Sequence, residues 1–257
     1  MNTNHPLISC ICITRGKPAM LARAVACFKM QSYPNKELIV VYEEDDQPTA
    51  GYVRQCNDKE VFFLCVRTAS GYTLGELRNI GIEKAAGEFI CQWDDDDWYH
   101  SGRLERQYNE LLRNNRHGAV LTHWMVYDAV RKNAYISNQR IWEGSILCRK
   151  ATMLLKPYES KRIGEDTATT DYLAAENHLH LIDDQPGLYI YIYHGNNTWN
   201  ADHWEYIFEC SEQLPEADAT QITDILGGVY TVDTGSVLLD EIVERFRTRT
   251  VTGLMMQ

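Results

Sequence analysis

Over the first 114 residues, short apolar runs alternate with segments of helical period, and this alternation restricts the fold more than any other feature of the chain. Leu7–Thr14, Glu37–Tyr42, Val61–Val66 and Glu88–Trp93 have the length and apolar character of strands. Lys17–Met30 carries Leu21, Val25 and Phe28 on one helical face. Thr73–Ala86 does the same with Leu77, Ile80 and Ala85, and Ser101–Asn114 with Leu104, Tyr108 and Leu111. Pro18 suits a first helical turn, Ser32-Tyr33-Pro34-Asn35 breaks the first helix, and Gly87 is expected to cap the second. The β-α-β-α order predicts an α/β fold with a mostly parallel central sheet flanked by helices. Ligands of such sheets bind beyond the carboxyl ends of the strands. The ends of Leu7–Thr14, Glu37–Tyr42 and Glu88–Trp93 should therefore meet at one crevice.

Beyond residue 115 the pattern is mixed. Ala119–Val130, Ser145–Arg149 and Leu188–His194 are strand candidates, and Asp166–Asn177 is a helix candidate. In Val237–Phe246, Leu238, Leu239, Ile242, Val243 and Phe246 share one helical face. Three readings stay open for this last helix: packing on the body, a homodimer contact, or peripheral contact with a membrane. The 257 residues suit one compact domain with a short tail.

The net charge of −11 would repel a long polyanion, so no nucleic-acid partner is expected. A small phosphorylated ligand is compatible with it, because a bound metal reverses the local sign. Of eight cysteines none forms a C-x-x-C pair, and Cys10 and Cys12 lie in an apolar run. Reduced thiols and a cytoplasmic location are the expectation. The polar start of the chain lacks a signal-peptide core, and no stretch approaches the roughly 20 apolar residues that cross a bilayer.

Asp94-Asp95-Asp96-Asp97 follows the fourth strand candidate directly and lies between Trp93 and Trp98. Crowded carboxylates held between two large apolar rings need a cation, and oxygen ligands select Mg²⁺ or Mn²⁺. A solvated acidic loop is the plain alternative. An EF-hand fits worse, with Trp98 at position five and Tyr99 where the turn glycine belongs. From its surroundings Asp97 is also readable as a helix-start acid.

Five stretches occur in order: Gln31-Ser32-Tyr33-Pro34 before Glu37–Val41, Arg78-Asn79-Ile80-Gly81, Ala86-Gly87-Glu88-Phe89-Ile90, the acidic run, and Trp98-Tyr99-His100 with Arg103-Leu104. Together they resemble the family 2 glycosyltransferases of GT-A fold over roughly residues 7 to 199. The resemblance implies a domain at 1–199, with a nucleotide-sugar half at 1–100, an acceptor half at 101–199, and a C-terminal helical extension at 200–257. It implies an inverting, metal-dependent transfer from a nucleotide-diphosphate sugar, UDP-linked by expectation, to a glycan or lipid-linked acceptor. A peripheral position at the cytoplasmic membrane face would suit such an acceptor.

By the same resemblance Asp94 and Asp96 match the ends of a D-x-D motif, with Asp96 on Mn²⁺ or Mg²⁺ and Asp94 or Asp95 toward ribose or sugar. Thr14, Arg15, Arg78 and Asn79 fall near the donor. Glu43 stands where the family usually has an aspartate, a departure that leaves the base open. Trp142, in Trp142-Glu143-Gly144-Ser145, borders the sugar or belongs to the core. His194 is a candidate metal or phosphate contact. The Glu165-Asp166 pair matches the family's catalytic acids, with Asp166 as the base; helix-start acids are the plain alternative. Nucleotidyl transfer and a non-catalytic binding module remain as rival classes, although no G-x-G-x-x-G or Walker pattern is present.

Overall fold

The computed structural model describes the backbone of residues 5–255 and their side chains apart from Ser70 and residues 250–255. In chain order the first half contains β1 (Ile8–Ile13), α1 (Pro18–Lys29), β2 (Lys36–Glu43), α2 (Gln47–Val53), β3 (Val61–Val66), α3 (Leu74–Lys84), β4 (Phe89–Gln92), β5 (Trp98–Tyr99) and α4 (Arg103–Arg113). The second half continues with β6 (Gly118–Leu121), β7 (Met125–Asp128), β8 (Asn133–Ile136), β9 (Leu147–Arg149), α5 (Lys150–Met153), α6 (Thr167–Ala175), β10 (Leu179–Ile182) and β11 (Tyr189–Tyr193). It closes with α7 (Ala201–Glu209), β12 (Glu212–Gln213), α8 (Glu216–Leu226) and α9 (Val232–Met255).

Seven strands form the main sheet in the order β10-β6-β9-β4-β1-β2-β3. β1 pairs in parallel with both β2 and β4, and only β9 runs against its neighbours. Successive strand residues point to opposite faces. Cys10, Cys12, Leu38 and Val40 therefore join the core under α1 and α4. Ile11, Ile39, Val41 and Ile90 join a second core with residues of α3 and α6. Burial on both faces is why these strands are apolar along their whole length. A smaller sheet, β12-β8-β7-β11-β5, stands beside the first.

Two expectations need correction. Ala119–Val130 is not one strand: Thr122–Trp124 carries the chain from β6 in the main sheet to β7 in the small one. Gly87 does not cap α3, whose last turn is closed by Ala85. A Cβ at Gly87 would meet Ser9 Oγ at 2.4 Å, so this glycine lets the chain pass close to β1.

The final helix packs on the body. Leu239, Ile242 and Val243 lie in the larger core, Ser236 Oγ accepts the Ser101 N–H at 2.8 Å, and Asp240 receives Arg106. It thus braces the segment that follows the acidic run. All eight cysteines are free thiols. Among the described residues no helix is long and apolar enough to cross a membrane.

The start of α3 is fixed by a capping box, in which Thr73 Oγ1 accepts the Glu76 N–H and Glu76 Oε2 accepts the Thr73 N–H. Beside it Gly75 N–H donates to Lys161 O at 3.1 Å. This contact brings residues 158–165 against α3. A Cβ at Gly75 would stand 1.9 Å from the Glu159 carbonyl oxygen. Backbone cannot yield as a flexible side chain does, so Gly75→Ala is expected to cost about 3 kcal/mol, at the upper end of overpacking effects. A lowered urea midpoint with an unchanged slope is the expected result; unfolding like the parent's would contradict this packing.

Candidate active site

A cavity of about 500 Å³ opens at the carboxyl ends of β1, β2 and β4. Thr14, Glu43 and Gln92 reach it from those three strands, and the acidic run forms its floor. From the second half, Trp142–Gly144, Gly164–Thr167 and Asn196–Trp199 supply the opposite wall.

Each carboxylate of the run has its own partners. Asp94 Oδ1 takes Arg78 Nη2 at 2.7 Å, and Asp94 Oδ2 lies 3.3 Å from Tyr189 Oη. Asp95 Oδ2 accepts Thr14 Oγ1–H at 2.6 Å. Asp96 Oδ2 accepts from Lys17 Nζ at 2.7 Å and lies 3.2 Å from His194 Nε2. Asp97 is buried, accepting Tyr189 Oη–H at 2.5 Å and the Ile192 N–H at 2.9 Å. It precedes β5, while α4 begins at Arg103, so the helix-start reading of Asp97 is corrected: it ties the acidic loop to β11.

These surroundings split the four acids. Burial and the like charge of Asp96 push Asp95 up to about 7. Burial also raises Asp96, but the His194 hydrogen bond and the Lys17 ammonium outweigh it and hold Asp96 below the usual carboxylate range. Asp97 is raised strongly by burial and then by Asp96 and Asp94, which favours its protonated form. The run therefore does not carry four full charges at neutral pH.

Arg78 joins the two acidic segments. Its Nε donates to Glu165 Oε1 at 2.9 Å while its Nη2 holds Asp94, and the whole side chain is buried. Burial disfavours its charge, yet Asp94 and Glu165 outweigh that and raise its pKa. Asp166 stands beside this bridge, with Gln92 Nε2 donating to its Oδ2 at 3.4 Å. Burial pushes the pKa of both Glu165 and Asp166 up against the opposing charge of Arg78. Gln92 Oε1 in turn accepts Tyr158 Oη–H at 2.9 Å.

The remaining expected residues fall as follows. Arg15 pairs with Glu43 and, at 2.9 Å, with Asp45 at the β1–β2 corner of the cavity. Trp142 is buried yet lines the cavity, stacked on Trp124 at 4.6 Å, and Trp124 stacks on Tyr189 at 4.2 Å. Asn79 is not among the lining residues. Its amide donates to Tyr158 O at 2.8 Å and accepts the Tyr158 N–H at 3.2 Å, so it holds the 158–165 segment. The Asn196 N–H donates to His194 Nδ1 at 3.3 Å, and the other ring nitrogen, Nε2, faces Asp96.

Sequence reasoning missed Lys17 as the partner of Asp96, and missed Gln92, Tyr158 and Tyr189. Gln92 left one signal, a lone polar residue at the end of an otherwise apolar strand. The others are joined to the acidic run only by the fold.

Among the described residues no three His, Cys, Asp or Glu side chains form a ready-made metal cage. Asp96, a cavity-facing carboxylate, fits an ion shared with a phosphorylated ligand, as Mg²⁺ is commonly held by one or two carboxylates plus phosphates.

Residues 9–172 match the model of glycosyl transferase family 2, and the chain belongs to that family. An uncharacterized glycosyltransferase of Haemophilus influenzae is 32% identical over 120 residues, 47% of either chain. The putative colanic acid biosynthesis glycosyl transferase WcaA of Escherichia coli is 28% identical over 159 residues, 60% of this chain and 50% of WcaA. The chain thus spans about half the length of the curated relatives it matches. Among solved structures, S. aureus TarS 1-349 in complex with UDP superposes with a TM-score of 0.61 at 17% identity, over 84% of this chain and 69% of TarS 1-349. The mannosyltransferase PcManGT of Pyrobaculum calidifontis, in complex with GDP-Man and Mn²⁺, gives 0.57 at 15% identity, over 74% and 57% of the two chains. These neighbours share the GT-A fold expected from the sequence.

Removing one member of a buried ion pair leaves the other charge uncompensated, at a cost of about 3–5 kcal/mol. Arg78→Ala is therefore expected to lose that much stability, and the double variant Arg78→Ala/Glu165→Gln to recover part of it. Denaturant titration of the parent, Arg78→Ala, Glu165→Gln and the double variant measures the coupling; strictly additive losses would mean that the bridge is not formed.

Proposed function

We propose that this chain moves a sugar from a nucleotide-diphosphate donor to an acceptor hydroxyl, with inversion and with help from a divalent metal. The observation that carries the reading is the Arg78 bridge between Asp94 and Glu165. It unites the acidic run and the Glu165-Asp166 pair across one cavity, where donor chemistry and acceptor chemistry have to meet. The presence of UDP on TarS and of GDP-Man with Mn²⁺ on PcManGT supports a nucleotide-linked donor. The relationship to WcaA supports glycan synthesis as the setting.

In this reading the β1–β2 corner takes the nucleoside, with Thr14, Arg15 and Glu43 as its contacts. Lys17 and Asp96 attend the diphosphate. Asp96 would hold Mn²⁺ or Mg²⁺ together with the donor phosphates, and His194 orients Asp96 or reaches a phosphate. When bound, the ion supplies positive charge that stabilises the departing diphosphate. Asp94, held by Arg78 and Tyr189, faces the sugar, and Trp142 and Trp124 wall that end of the cavity. Asp166 accepts the proton of the acceptor hydroxyl. The acceptor oxygen then attacks the anomeric carbon from the side opposite the phosphate. The C–O bond to phosphate breaks, and its electron pair leaves with the nucleoside diphosphate. One base suffices because that leaving group departs as an anion.

Burial raises the pKa of Asp166 above the ordinary aspartate value of about 3.9. A base works only when deprotonated, so kcat/KM should rise with pH through an inflection above that value. Asp166→Asn should lower kcat by about 10²–10⁴-fold while metal-dependent binding of nucleoside diphosphate persists. Activity unchanged in this variant would remove Asp166 from the role. Asp96→Ala should abolish the effect of Mn²⁺ on UDP or GDP binding, measured by calorimetry; an undiminished Mn²⁺ effect would move the ion elsewhere.

A further inference from the structure

The cavity divides by charge. Its floor carries the acidic run and its opposite wall the Glu165-Asp166 pair, and the nearby cations, Lys17 and Arg78, are engaged by those acids. Its mouth carries two arginines instead, from segments unrelated to the nucleoside corner. Arg162 lies on the 158–165 segment beside the exposed Ile163, and among the described residues its guanidinium has no hydrogen bond or ion pair. Arg140 lies over the Trp142 ring at 4.5 Å, with Glu143 at 3.2 Å as its one acidic partner among the described residues. In a chain of net charge −11, an unpaired arginine at a cavity mouth is a local reversal of sign.

An aromatic platform accompanies these cations. Of the tryptophans lining the cavity, Trp142 and Trp124 are buried, whereas Trp199 is 39% exposed. Asn200 caps α7 by accepting the His203 N–H at 3.0 Å, which sets Trp199 just before the helix and His203 one turn later. The two rings stack at 4.1 Å and 15°. Burial, then the charge of Arg140, holds the His203 imidazole below its ordinary pKa, so the stack is neutral near pH 7 and Arg140 belongs to the same wall. A rigid indole face open to solvent suits the apolar face of a sugar ring, and a guanidinium suits a carboxylate or phosphate.

We propose, resting on the glycosyl-transfer reading above, that the cavity mouth is an acceptor subsite for a negatively charged glycan. Trp199 stacks on a sugar ring, and Arg162 and Arg140 bind its carboxylate or phosphate groups. The acceptor hydroxyl then points inward, toward the acid pair. A neutral glycan would gain the stacking and lose the charge recognition.

The test uses the full chain with Mn²⁺, saturated with whichever of UDP or GDP binds. It is titrated with maltotetraose, tetragalacturonate and a mannotetraose 6-phosphate, following tryptophan fluorescence and heat. At least one charged tetrasaccharide should bind about tenfold or more tighter than maltotetraose, and the difference should shrink as salt rises. The tighter of the two distinguishes carboxylate from phosphate as the recognised group. Trp199→Ala and Arg162→Gln should each weaken that binding about tenfold without changing the affinity for the diphosphate. Equal binding of neutral and charged glycans, no glycan binding with the diphosphate bound, or indifference to both substitutions would overturn the proposal. Failure of both UDP and GDP to bind would instead sink the donor reading on which it rests.

Discussion

Everything at this site depends on how four adjacent carboxylates are kept in one partly buried loop. Two unit charges about 4 Å apart repel by about 4 kcal/mol at an effective dielectric constant near 20. Four equal charges would expel the loop. The fold gives each acid a different neighbour: Arg78 for Asp94, Thr14 for Asp95, Lys17 and His194 for Asp96, Tyr189 and a backbone N–H for Asp97. Two of the four are shifted toward their neutral forms as a result. Trp93 and Trp98 fasten the loop at both ends. Each indole removes roughly 150–250 Å² from water, about 4–6 kcal/mol at ~25 cal/mol/Å². That is enough to hold a loop whose net repulsion has been cut in this way.

The legible part of this chain is the part whose signals are local. Val61–Val66 is a strand over the same residues in sequence pattern and structure, because all six residues are apolar and mostly β-prone, although at the sheet edge only Val61 is buried. The acidic run and the Glu165-Asp166 pair are chemical strings, visible without a fold. Ala119–Val130 misled because hydropathy stays high where the chain leaves one sheet for another; periodicity carries no mark of which sheet a strand joins. The seven-residue helix α2, held by an Asp46 cap, is too short to build a periodic pattern. The groups that tune the acids were out of reach for a different reason. Lys17 lies 79 residues from Asp96 and Tyr189 lies 92 residues from Asp97, and only the crossing of β1, β4 and β11 brings them together. Asn79 shows the converse: a motif string can be right in family terms while its amide is spent on backbone, here that of Tyr158.

The C-terminal helix extends the same logic to residues far from the cavity. Ser236 and Asp240 reach the segment just after β5 through Ser101, Arg106 and the buried His100. The acidic loop is thus clamped from inside by Tyr189 and, through Trp98–Ser101, from behind by α9. A loop that has to present carboxylates at fixed positions needs both, because carboxylates alone favour the expanded state.

Stability alone does not account for the Arg78 bridge. Buried ion pairs replaced by packed apolar residues of similar volume are often equally or more stable. A core of this size could close over a methionine and a leucine at those positions. What apolar residues could not do is hold Asp94 and Glu165 at a fixed distance while leaving Asp166 beside them with a raised pKa. The bridge also makes the two halves of the cavity interdependent: the 158–165 segment is docked on α3 through Gly75 and Asn79, and the guanidinium transmits that docking to Asp94. An arginine is suited to this, since its planar fork addresses two carboxylates in different directions, where a lysine would present a single point charge. The cost of burying it is the cost of having one rigid site instead of two acidic loops.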